Sequence, residues 1–89
     1  MLTKDEKTIY IFALRYALPR HSYALHFVIY QIFPLIADFE DWEIKDMIDD
    51  CRLFYPGPEL GGVECDRPLV DNFRERLKEE LERRRNNND

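Results

Sequence analysis

The chain is poor in the residues that usually announce chemistry. It has two cysteines, Cys51 and Cys65, and two histidines, His21 and His26, among 89 residues. There is no CxxC pair, and the two histidines stand five apart on opposite flanks of one expected helix, so no zinc set is expected. The acids lack the alternating ligand spacing and central glycine of a calcium loop. No metal and no other cofactor is therefore expected. No nucleophile–base pair or carboxylate constellation is visible either, so the chain is read as acting without catalysis. Two cysteines behind a Met1 start with no basic-then-apolar leader read as free thiols in the cytoplasm. Cys51, on an apolar stripe, reads as core.

Glycine is also scarce, at three residues, and hairpin dipeptides are few, which favours an all-α chain. No apolar run reaches the roughly 20 residues of a membrane span. The longest, residues 23–37, is interrupted by His26, Gln31 and Pro34. Basic excess is absent: 18 acids against 13 bases give a net charge of −5. Proteins that bind nucleic acid directly draw affinity from neutralising phosphates, so that partner is not expected. No internal repeat is present.

What the chain does have is an ample core. It is 45% apolar, which argues against disorder, and its length suits one domain. Residues 23–37 are expected to form the central helix, apolar nearly all round and covered on more than one side. Leu25, Ile29, Ile32, Phe33 and Ile36 share one face. Ser22 is the expected N-cap, and Pro34 ends or kinks the helix near Phe33. Before it, Thr3 and Glu6 have capping-box spacing, so a first helix starts there. Ile9, Phe12, Ala13, Tyr16 and Ala17 give its core register, and it ends near Ala17 because Leu18 precedes Pro19. A third helix is expected over residues 40–53, capped by Asp38 or Asp41, with Ile44, Met47, Ile48 and Cys51 inward. Residues 55–62 carry two prolines and three glycines and read as a loop. Asp66 is expected to cap a fourth helix with Pro68 in its first turn and Leu69 or Val70, Phe73, Leu77 and Leu81 as its seam. Four-residue pairs Arg76–Glu80, Glu79–Arg83 and Glu80–Arg84 line its outside. Arg83, Arg84 and Arg85 suit the dipole at its C-terminus. The expected fold is a small all-α domain of four helices over residues 1–85, with 86–89 as a disordered tail.

Two surfaces stand out. Arg15, Tyr16, Arg20, His21, Tyr23 and His26 gather around the first turn, where the amides opening the second helix add positive character. Such a cluster can hold a phosphate or carboxylate, with arginine as a fork and tyrosine as a stacking face. Equally, the arginines can pair with Asp38, Glu40 or Asp41 and the rings can pack. The second surface is an acidic band of Asp38, Glu40, Asp41, Glu43, Asp46, Asp49 and Asp50. Asp41, Glu43, Asp46, Asp49 and Asp50 form its candidate protein-binding part. It can face a basic partner or be a solvated helix face. The apolar stripes exceed what one small chain covers, so a homo-oligomer is expected.

Residues 14–23, LRYALPRHSY, resemble a pattern in a group of small phage and prophage proteins of Gram-positive bacteria. In that group the pattern runs Arg-Tyr-Ala-Leu-Gly-Arg, then a hydroxyl residue and Tyr. Pro19 stands where the group has Gly. The resemblance implies a mobile-element accessory protein acting in the bacterial cytoplasm. The function expected from all of this is a non-catalytic binding protein that occupies a host protein through its acidic surface. The alternative is sequestration of a small anionic ligand, such as a nucleotide, by the Arg/Tyr cluster.

Overall fold

A computed structural model describes residues 2–20, 23–54 and 63–87. Four helices run in chain order: α1 (Lys4–Ala17), α2 (Tyr23–Ile32), α3 (Asp41–Asp50) and α4 (Val63–Asn87). Short 3-10 segments, Leu18–Arg20, Phe33–Asp38 and Cys51–Leu53, follow the first three. No strand occurs among the described residues. The fold is all-α, as composition and periodicity lead one to expect. The expected Ser22 cap and the 55–62 loop lie outside the described residues.

The helices form a ring. α1 packs against α2 and α3, and α4 closes the ring by packing against α3 and α2. Leu14 and Leu18 from the α1 side, Leu25, Ile29 and Ile32 of α2, Ile44 and Met47 of α3, and Phe73 and Leu77 of α4 meet in the middle, all fully buried. Each such side chain contributes about 1.5–3 kcal/mol of transfer free energy. Phe33 and Phe73 meet edge-on with centroids 5.7 Å apart, which ties the end of α2 to α4. α2 is covered by α1 and by α4, as its apolar character leads one to expect, while Phe27 and Tyr30 still face outward.

The capping chemistry of α1 is as the sequence reads. Glu6 N–H donates to Thr3 Oγ1 at 3.1 Å and Thr3 N–H to Glu6 Oε1 at 2.8 Å. The register of α1 is not. Ile11, Leu14 and Ala17 are buried, with Leu18 behind them, while Ile9, Phe12 and Tyr16 are exposed. α1 has two apolar stripes at helical spacing on opposite sides. The inward one, positions 7, 11, 14 and 18, is the one that α2 and α3 cover, and the outward one runs through positions 5, 9, 12 and 16. Leu18 keeps right-handed helical angles (φ −53°, ψ −49°) ahead of Pro19, where an extended conformation is expected. Its fully buried side chain outweighs the local preference.

Pro34 acts as expected: α2 stops at Ile32, and the proline sits in the first turn of the 3-10 segment. The cap of α3 is Glu40 rather than Asp38 or Asp41, and its N–H donates to Glu43 Oε1 at 2.7 Å. α4 begins at Val63, so Asp66 lies inside it and Pro68 is an interior residue that removes one internal hydrogen bond near the start. The helix continues through Asn86 and Asn87, which the sequence assigns to a disordered tail. Its seam of Val70, Phe73 and Leu77 is buried, flanked by Leu69 and Leu81. Of the expected four-residue pairs only Glu80–Arg84 forms, at 2.7 Å. Arg76 meets Glu79 and Arg83 meets Glu80, each three residues away.

Candidate functional site

Arg15 is the best-placed residue of the expected Arg/Tyr cluster, and the fold has already answered it. Its Nε donates to Asp50 Oδ2 at 2.7 Å, and an Nη lies 3.7 Å from Asp46 Oδ2. The guanidinium also sits 5.9 Å from the centroid of the Phe12 ring. These are charge-assisted contacts to α3, not to Asp38, Glu40 or Asp41. The reason is topological: the last turn of α1 lies beside the second half of α3. Tyr16, one residue on, is about 100° further around the helix and belongs to the outward stripe. Arg15, turned toward α3, sits at the edge of that stripe beside Phe12. His21 and the side chains of Arg20 and Tyr23 lie outside the described residues.

The acidic band likewise divides by role. Glu43 is only 3% exposed and serves the start of α3, so it is not the surface residue the sequence leads one to expect. A carboxylate at the third position of a helix can satisfy the cap N–H, and here that use draws it inward. Asp46 and Asp50 face Arg15. Asp41 binds Arg84 Nη1 at 2.6 Å. Asp49 remains on the exposed side of α3.

What the arrangement brings together instead is an aromatic face across the α1–α3 seam. Phe12 and Trp42 flank a cleft of about 150 Å³ that is also lined by Thr8, Ile11, Arg15 and Asp46. Ile9 and Tyr16 continue the Phe12 stripe along α1. Ile9, Phe12, Tyr16 and Trp42 are 65%, 60%, 62% and 59% exposed. Asp5 lies on the same stripe as Ile9, and Asp46, one turn along α3 from Trp42, lines the cleft with Arg15. The face is thus apolar in the middle with an acid on either side. Its signal in the sequence is the second apolar stripe of α1.

Cys51 is buried and unbonded. Burial pushes its thiol up to about 12, against a smaller opposing pull from Arg74. The thiolate is the reactive form, so Cys51 is expected to be inert in the folded protein at neutral pH. Mass spectrometry of the Cys51 peptide after iodoacetamide treatment should show alkylation only once denaturant is added. Fast native labelling at Cys51 would contradict its burial. Among the described residues no group of histidines, cysteines and acids could hold a metal. No helix, among the same residues, is long and apolar enough to cross a membrane.

Compared with known protein families, with curated proteins and with solved structures, the chain matches none.

Proposed function

We propose that this is a non-catalytic binding protein that docks a partner protein on the α1–α3 face, the partner presenting apolar anchors flanked by lysine or arginine. The observation that supports this is the exposure of Ile9, Phe12, Tyr16 and Trp42 on one side of the fold. Aromatic side chains of this kind carry most of the energy of protein interfaces. Contiguous exposed apolar patches on small proteins mark contact sites. Asp5 and Asp46, on a chain of net charge −5, favour a basic flank, with Arg15 answering Asp46 only in part. The same acids disfavour a second copy of the chain here, since two such faces would oppose like charges. The resemblance at residues 14–23 makes a host bacterial protein the natural source of the partner. The acidic surface thus steers, and the apolar stripe anchors.

Trp42 is the sole tryptophan and reports directly on this face. Titration with a synthetic amphipathic helix, leucine on one side and lysine on its flanks, should shift Trp42 emission to the blue and saturate. The affinity should fall with added salt. Phe12→Ser should weaken it at least about tenfold, as loss of an interface anchor does, with helix content unchanged. A glutamate-flanked helix of the same apolarity should not bind. Equal binding of both helices, or no shift at all, would remove the proposal. A blue shift on concentrating the protein alone would make a second copy the occupant.

A further inference from the structure

The arginines whose side chains the structure describes, all but Arg20, sort into two sets. Arg15, Arg76, Arg83, Arg84 and Arg85 each meet a carboxylate within the fold. Arg52, Arg67 and Arg74 form no ion pair among the described residues, and all three border one groove between the end of α3 and α4. The groove consists of two hollows of about 140 and 160 Å³ that share Cys51, Val70 and Asp71. Arg52 and Arg74 line the first with Ile48 and Asp49, and Arg67 lines the second. Along the two hollows these three arginines, none in an ion pair among the described residues, outnumber the two aspartates Asp49 and Asp71, so the groove favours an anion.

The spacing narrows the ligand. Arg67 and Arg74 are two turns apart on α4, a rise of about 10 Å, and Arg52 borders the same groove from the 3-10 turn after α3. Three forks spread over that distance suit two linked phosphates better than one. Asp49 and Asp71 at the same rim repel a long polyanion but accept hydrogen bonds from sugar hydroxyls. Val70 and Ile48 supply apolar wall. The groove also lies where the 3-10 turn Cys51–Leu53 packs against the turn Leu18–Arg20, at the bundle end that carries the Arg-rich sequence pattern. We infer that this groove binds a small diphosphate ester with a hydroxylated sugar, of the nucleoside diphosphate class. The site is separate from the α1–α3 face, and neither depends on the other.

Calorimetry and thermal melts of the full chain with ADP, inorganic pyrophosphate and adenosine test this. ADP should bind and raise Tm, pyrophosphate should bind more weakly, and adenosine should not bind. Arg52→Ala with Arg74→Ala should weaken ADP at least about tenfold, two charge-assisted forks being lost, with the circular dichroism spectrum unchanged. Arg76→Ala, whose guanidinium meets Glu79 elsewhere on α4, should bind ADP as the wild type does. Absence of ADP binding at millimolar concentration, or full binding by the double variant, overturns the site. Pyrophosphate binding as tightly as ADP overturns the assignment of ligand class. Should the double variant fail to fold, Arg67→Gln on the exposed side of α4 gives the same reading.

Discussion

Ile29→Asp should leave no folded population at room temperature. Ile29 is fully buried in the ring, among Leu14, Leu25, Ile32 and Phe73 of the same core cluster. Two losses combine. Truncating a buried aliphatic side chain costs about 2–5 kcal/mol. An ionised carboxylate without a partner costs several kcal/mol more, or the residue takes up a proton and remains an unsatisfied polar group. A domain of this length has roughly 4–13 kcal/mol to lose. Far-ultraviolet circular dichroism should show a chain without a cooperative melt. Ile29→Val, which removes one methylene, should melt cooperatively at slightly lower temperature, separating the charge effect from loss of volume. A near-native melt of Ile29→Asp would mean that α2 does not line the core.

The contrast between Ile29 and Ile9 shows what was legible in the sequence. In α2 the inward stripe of Leu25, Ile29 and Ile32 continues to Ile36, whereas the rival stripe of Tyr23, Phe27 and Tyr30 runs into Pro34, so periodicity places the core face correctly. In α1 two apolar stripes compete. Local spacing cannot choose between them, because the choice depends on which side α2 and α3 cover. The same logic explains the caps. Thr3 and Glu6 lie within one turn and read directly. Glu40, unusual as a cap, works because Glu43 reaches back to it.

Charge pairing was the least legible layer. Arg15 and Asp50 are 35 residues apart, and Arg84 and Asp41 are 43 apart. Nothing in the spacing of either pair announces it, since both depend on how the ring closes. The groove bordered by Arg52, Arg67 and Arg74 has the same origin, with its cations divided between α4 and the turn after α3. The first turn stands out in the sequence because its arginines and tyrosines are close together in the chain. The fold consumes Arg15 on α3 and assembles another cationic surface nearby from residues that are far apart in sequence.

Arg84→Met should lower Tm by about 8–20 °C, which for a chain of this length corresponds to a loss of about 2–3 kcal/mol. In the sequence Arg84 reads as one of three arginines beside a helix terminus. In the fold it is a clasp. Its Nη1 donates to Asp41 Oδ1 at 2.6 Å, its Nη2 to the carbonyls of Phe39 and Ala37 at 2.8 and 3.2 Å, and its Nε to Glu80 Oε2 at 2.7 Å. The carbonyl of Ala37, near the end of the 3-10 segment, gains a donor there that the segment itself does not supply. The loss stays below that of a fully buried ion pair because Asp41 is exposed and Glu80 retains Arg83. Arg84→Lys should recover only a minor part, because one ammonium cannot reach these acceptors in a plane. The pH dependence has a defined sign. Hydrogen bonding to Arg83, opposed by partial burial and helped by Arg84, holds the Glu80 carboxyl below its ordinary value. Its folded pKa is therefore lower than its unfolded pKa of about 4.3. The associated stability is complete above that value and is lost as pH falls through the lowered folded pKa. The Tm difference between wild type and Arg84→Met should accordingly narrow as pH falls below the ordinary carboxylate range, by the share that Arg84 gives Glu80, since Arg83 remains in the variant. A variant melting within about 3 °C of wild type at neutral pH, less than 1 kcal/mol, would show that water replaces the clasp without loss.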